Sequence, residues 1–244
     1  ANRNHPNAQY SLAFIYFKGI FLPKNVNKAV SYFILSSENR FLKAHFVVGF
    51  IYHEGKYVNK DMKKSIHYYK EGSTLDDQYC KNNLGIIFRY GYEDEIKKNI
   101  GLTEVYLEEA IRQKKDIISM YNLAHLYIYE NIKDTIDKSI KLLFESYKKE
   151  FSPSLQLLCI SLIIKHKYDF ALIRDELEKQ TECCKQDKKI IIQMIQNIKL
   201  KLNDSLFENI YNIYKDKVYL YDMNRKPIEM KDFNKPKEND QKFQ

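Results

Sequence analysis

The stretch SLAFIYFKGIFLPKNVNKAVSYF fills residues 11–33, and VVGFIYHEGKYVNKDMKKSIHYY fills residues 47–69. Set 36 positions apart, the two keep their aromatics, small residues and glycine in register. A third copy follows at the same offset. Ala8, Ala44 and Cys80 align, then Leu12, Val48 and Leu84, then Ala13, Gly49 and Gly85, then Tyr16, Tyr52 and Phe88, then Gly19, Gly55 and Gly91. Past Gly91 the spacing implies one extra loop residue, pairing Ala29 with Ser65 and Leu102, and Phe33 with Tyr69 and Tyr106. SMYNLAHLY (119–127) opens a fourth copy, with Leu123, Ala124 and Tyr127 in the repeated places and Ser139 and Leu143 on its partner segment. A weaker fifth copy starts at SPSLQLLCISLI (152–163).

Each copy reads as two short helices. Leu12, Ala13 and Tyr16 share one face at helical spacing, and Gly19 stands where a left-handed C-cap suits glycine best. A loop with Pro23 leads to a second helix over about residues 27–37, which presents Ala29, Tyr32, Phe33 and Ser36. Helices this short cannot bury an apolar face alone, so each pair needs a similar neighbour. The expected fold is therefore all-α, an α/α superhelical solenoid with an extended concave surface. After Gly101 there are no glycines, so the later helices must end by other caps.

Composition supports this. Of 244 residues 44% are apolar and 30% charged, while Gly (7) and Pro (5) are too scarce for a turn-rich sheet protein. The longest apolar run, about residues 155–164, is far short of the roughly 20 residues that span a bilayer. Cys80, Cys159, Cys183 and Cys184 lack disulfide or zinc spacing, so a reducing, cytoplasmic setting is expected. The net charge of +8 is dispersed among acidic residues, which fits a solvated surface as well as a nucleic-acid footprint.

Catalysis needs convergent titratable groups. The six histidines are scattered, and no HExxH, GxSxG or P-loop occurs. The sequence therefore reads as a non-enzyme with no cofactor and no metal site. Binding has a better candidate. On the first helix of each copy a second stripe lies about 115° from the small-residue face at about 100° per residue. It carries Tyr10, Phe14 and Phe17, then Phe46, Phe50 and His53, then Arg89, then His125. This stripe either packs against the next copy or lines the concave groove, where aromatic and arginine side chains make strong anchors. In the groove reading Phe14 and Phe50 hold an apolar segment, while Arg89 and His53 select its polar flank.

The pattern A-x-x-x-L-G-x-x-Y-x-x-G followed by K-A-x-x-Y-Y resembles the Sel-1-like repeat, a relative of the tetratricopeptide repeat. It is carried by Ala8, Leu12, Ala13, Tyr16, Gly19, Lys28, Ala29, Tyr32 and Phe33, and in the next copy by Ala44, Val48, Gly49, Tyr52, Gly55, Lys64, Ser65, Tyr68 and Tyr69. Leu84, Gly85, Phe88 and Gly91 continue it. The match is dense over residues 7–112 and extends to about 148. The resemblance implies stacked α/α hairpins and an adaptor that holds a partner protein or peptide. It also admits an endoplasmic-reticulum association, since one family member serves the degradation ligase there. A bacterial branch with paired cysteines in every repeat has been linked to β-lactam binding; those cysteines are absent here.

Three regions are expected: about four repeats over 1–148, degenerate helical repeats or a helical cap over 149–215, and a polar, flexible tail over 216–244, with no inserted membrane segment. Because the chain opens abruptly at the edge of a repeat, it reads as a fragment. The alternative function is RNA binding, since helical repeats can read bases and 20 tyrosines offer stacking surfaces. Its best contact sites are the lysine-rich runs KQDKK and KLK within 185–201.

Overall fold

The computed structural model describes residues 5–167, 169–179, 185–200, 215 and 217–230. They divide into two compact units, one of residues 5–114 with 220–228 and one of the described residues within 115–219 with 229–230.

The first unit contains α1 (Pro6–Lys18), α2 (Val26–Glu38), α3 (Leu42–Glu54), α4 (Met62–Thr74), α5 (Gln78–Tyr90) and α6 (Ile100–Lys114). Consecutive helices pack as pairs, α1 on α2, α3 on α4 and α5 on α6, and α2 on α3 and α4 on α5 join the pairs. The repeat is visible in its chemistry. Asn25, Asp61 and Asn99 each accept the backbone N–H three residues on, from Lys28, Lys64 and Leu102, all at 2.9 Å. These side chains satisfy amide donors that a helix start leaves open. Parallel ring pairs recur beside them: Tyr16 on Tyr32 at 5.9 Å, Tyr52 on Tyr68 at 5.9 Å, and Phe88 on Tyr106 at 5.8 Å.

These landmarks correct the alignment past Gly91. The caps Asp61 and Asn99 lie 38 positions apart, so the loop gains two residues rather than one. Thr103, not Leu102, takes the place of Ala29 and Ser65. Thr103 is fully buried, whereas Leu102 is 39% exposed. Likewise Leu107 replaces Phe33 and Tyr69, and Tyr106 replaces Tyr32 and Tyr68.

Two glycine roles follow from geometry. Gly19 and Gly55 end α1 and α3 in the left-handed region at φ 72° and 66°, as the spacing predicts. Gly49 instead admits a ring: a Cβ there would meet Tyr69 at 2.6 Å. Small buried residues also recur towards the end of each second helix, at Ser36, Gly72 and Ala110 in this unit. The Ser36 hydroxyl donates to the Pro6 carbonyl at 2.7 Å, tying the end of α2 to the start of α1.

The second unit holds α7 (Ile117–Tyr129), α8 (Ile136–Lys148), α9 (Pro153–His166), α10 (Phe170–Lys179) and α11 (Lys185–Leu200). α7 packs on α8 and α8 on α9, with α10 and α11 both against α9. Ser146 donates to the Ile117 carbonyl at 3.0 Å, repeating the Ser36 tie. Leu157, Leu158, Cys159 and Leu162 on α9 are fully buried, and burial pushes the Cys159 thiol up to about 12. Lys165 joins α9 to Asp137 and Glu176, each at 2.7 Å.

The chain after 216, polar in composition, is not without structure. Residues 219–221 and 227–229 form two short strands, β1 (Tyr219–Tyr221) and β2 (Pro227–Glu229), paired as a hairpin. Residues 231–244 of the expected tail and residues 201–214 of the expected helical cap lie outside the described residues, as do Cys183 and Cys184.

Candidate functional site

In the first unit, α5 is buried along its length from Cys80 to Arg89, and that stretch includes two asparagines. A polar side chain there must find partners inside. Asn83 finds them on the hairpin. Its Oδ1 accepts the Tyr221 N–H at 2.9 Å and its Nδ2 donates to the Tyr221 carbonyl at 3.1 Å. The second Nδ2 hydrogen goes to the Tyr69 hydroxyl at 3.1 Å, and Asn82 donates to Oδ1 at 3.3 Å. An amide offers two donors and two acceptor sites, and all four are used. One side chain thus grips both backbone groups of a single residue, as a neighbouring strand would.

The second unit repeats the device. Asn122 on α7 accepts the Tyr219 N–H at 3.0 Å and donates to the Tyr219 carbonyl at 2.7 Å. Tyr121 donates its hydroxyl to the Lys217 carbonyl at 3.0 Å, and the Tyr219 ring meets Tyr121 and Phe151 edge-on at 5.3 and 5.1 Å. Beside Tyr219 lies a cavity of about 240 Å³ lined by Ser152, Gln156 and Met194 among others. Asn83 and Asn122 hold the same repeat position, each just before the leucine of its copy, Leu84 and Leu123. Ser11 and Val47 stand there in the first two copies.

A third grip, in the first unit, is ionic. Arg225 Nη2 donates to Asp77 Oδ2 at 2.7 Å, and the Asp77 side chain is 1% exposed. Asp77 Oδ1 meanwhile caps α5, accepting from Tyr79 and Cys80 N–H at 2.9 and 3.1 Å. Burial pushes the Asp77 carboxyl up, against the pull of the guanidinium and the two backbone amides. The guanidinium also lies over the rings of Tyr79 at 4.5 Å and Phe46 at 5.5 Å, a cation–π arrangement. Tyr221 meets Tyr79 edge-on at 4.5 Å.

A compact turn presents Arg225. Asp222 Oδ1 accepts the Asn224 and Lys226 amides at 2.9 and 2.8 Å, and Arg225 itself sits at φ 61°. This is the left-handed place of a three-residue hairpin loop, which glycine or asparagine fills most easily.

The stripe predicted from sequence is mostly interior. Phe46, His53, Arg89 and His125 are each at most 4% exposed. Phe46 packs near Phe50, Tyr69 and Tyr79, and His53 lies edge-on to Tyr69. Arg89 lies over the Tyr90 ring at 5.4 Å, and His125 stacks on Tyr129 at 4.2 Å. Tyr10 and Phe14 are half-buried around Phe33, and Phe17 meets Tyr57 at 5.1 Å. Of the eight, Phe46 touches the hairpin directly, and Tyr10 lies within electrostatic reach of Arg225. Asn83, Asn122, Asp77 and Arg225 were not singled out from sequence; the signal available was an asparagine before the repeat leucine in two successive copies.

The lysine-rich segment on α11 carries mixed charge. Lys188 pairs with Glu178 at 3.3 Å, and Asp187 accepts the Tyr147 hydroxyl at 3.0 Å. Among the described residues no helix is long and apolar enough to cross a membrane, and no group of three His, Cys, Asp or Glu side chains could hold a metal.

The Sel1 repeat model matches residues 6–40, 42–77, 78–115 and 117–142, more than half of the chain. The chain belongs to the Sel1 repeat family. Its repeats form a helical solenoid, and the family consists in general of protein–protein interaction scaffolds. Among solved structures, a protective antigen of uropathogenic Escherichia coli with the same repeat fold, c5321, aligns at TM-score 0.58 and 14% identity. That alignment covers 87% of this chain and 53% of the antigen, so the chain spans about half the antigen's length. A Sel1 repeat protein from Oxalobacter formigenes aligns at TM-score 0.46 and 23% identity, covering 49% of this chain and 88% of that one. No curated protein matches.

Proposed function

We propose that this Sel1 repeat protein is a non-catalytic scaffold that holds an extended polypeptide segment of a partner by its backbone. The observation that carries the reading is the asparagine clamp, in which Asn83 binds both the N–H and the carbonyl of Tyr221. Such a clamp recognises extended main chain whatever the side chain, as strand addition does at a sheet edge. It recurs at the equivalent Asn122. Family membership supports a protein partner, and the flanking aromatics supply the area for affinity.

The test uses the full chain carrying Tyr219→Pro and Tyr221→Pro, which removes the two N–H groups the asparagines grip. An array of tiled 12-residue peptides is read with this variant and with the same chain also carrying Asn83→Ala and Asn122→Ala. The reading expects a set of bound peptides that is lost with the asparagines. Binding indifferent to both asparagines would refute it.

A further inference from the structure

Asp77 carries two jobs on two oxygens. Oδ1 is committed to the start of α5, while Oδ2 faces a guanidinium. A buried carboxylate needs such a cation, because an unpaired charge in that setting is strongly unfavourable. The cation is reachable from solvent: the Arg225 side chain is 22% exposed against 1% for Asp77. The hairpin supplying it is slight, with three residues in each strand, and a hairpin of that size is marginal without support. Its arginine also takes a backbone conformation that disfavours a side chain. The hairpin is thus a small element docked by Asn83 and Asp77, with its own Leu220, Tyr221 and Met223 buried in that docking.

We propose that Asp77, Tyr79 and Phe46 form an arginine-reading pocket for a partner polypeptide, which the chain's own Arg225 occupies as an internal competitor. This rests on the backbone-clamp reading above and adds the side-chain chemistry of the partner. The geometry sets the pattern: a residue held by Asn83, with an aromatic ring against Tyr79, and an arginine four positions later, as in Tyr221 to Arg225. Arginine is preferred over lysine because its flat guanidinium can meet a carboxylate and stack on rings at once. The partner thus binds only where it displaces the hairpin, so the resting protein is partly closed to weak ligands.

The experiment measures fluorescence anisotropy with a labelled peptide KVYLYDMNRK, the sequence of residues 217–226, and with its Arg→Glu counterpart at the ninth position. The proteins are the wild-type chain and a release variant combining Tyr219→Pro, Tyr221→Pro and Arg225→Gly, with helicity checked by circular dichroism. Expected is at least tenfold tighter binding of the arginine probe by the release variant than by wild type, and at least tenfold weaker binding of the glutamate probe. Asp77→Asn, added to the release variant, keeps a good helix cap and should erase the difference between probes. Arg225→Gly alone changes no helix residue and should give an intermediate affinity, which guards against a folding failure of the triple variant. Equal binding of the two probes, or no gain on release, overturns the pocket. If binding still depends on Asn83 while the probes bind equally, the backbone clamp stands and only the arginine pocket fails. Absence of all binding overturns both.

Discussion

Asn83→Ala removes a side chain whose whole hydrogen-bonding capacity is in use. Two of its bonds, at 2.9 and 3.1 Å, hold Tyr221, and a third supports the buried Tyr69 hydroxyl. At about 1 kcal/mol net per bond, the Tyr221 pair amounts to about 2 kcal/mol, or about 30-fold in the docking equilibrium of the hairpin. Tyr221 can regain water by leaving, whereas Tyr69 cannot, so about 1 kcal/mol more falls on the stability of the first unit. Hydrogen exchange separates the two effects. The Tyr221 amide should lose about 30-fold of its protection beyond any loss at Ile51, a buried position inside α3. Unchanged protection at Tyr221 would mean that the aromatic and ionic contacts alone seat the strand, and the clamp argument would fail.

Gly49→Ala should cost about 1–3 kcal/mol, because its Cβ would stand 2.6 Å from the Tyr69 ring, while Gly101→Ala meets only Asn99 Oδ1 at 3.5 Å and should be neutral or stabilising. Thermal melts of the pair check this, and equal shifts would contradict the packing. His45 is 6% exposed and burial lowers its pKa, with Glu71 opposing and His67 and Arg40 assisting. The unfolded chain therefore takes the proton first, so the contribution is fully present above about pH 6.5 and is lost as pH falls through the folded pKa. Urea midpoints should decline between pH 7.5 and 5, and His45→Gln should flatten that decline. Native-state alkylation should leave Cys80 and Cys159 unlabelled by mass spectrometry, because both are buried and burial raises both thiols.

The architecture was legible because its determinants are local and recur. Gly19, Gly55, the stacked tyrosines and the buried Ala13 and Ala29 do one job each and do it again 36 residues later. The length of the loop after Gly91 was less so, since Tyr68, Tyr69 and Tyr106 align equally well by residue type. The register is selected by the cap at Asn99, the burial of Thr103 and the ring pair of Tyr106 with Phe88. The stripe from Tyr10 to His125 follows a true helical period, but periodicity does not say what covers a face. α7 is buried from Ile118 to Ile128, so it has no solvent side for such a stripe to occupy. The clamps were least legible. An asparagine in a helix usually marks a solvated face, and Asn83 gains its meaning only from a strand 138 residues away. That strand is three residues long in a polar stretch, too short for alternation to register.

The central claim is that the repeats hold a polypeptide by its main chain. Its most direct test compares two peptides KVYLYDMNRK that differ by one methyl group on the amide nitrogen of the fifth residue, the counterpart of Tyr221. Both are titrated into the full chain carrying Tyr219→Pro, Tyr221→Pro and Arg225→Gly. The account predicts at least tenfold weaker binding of the methylated peptide, because Asn83 loses the N–H it accepts. Equal affinity would contradict it and leave recognition to the side chains alone.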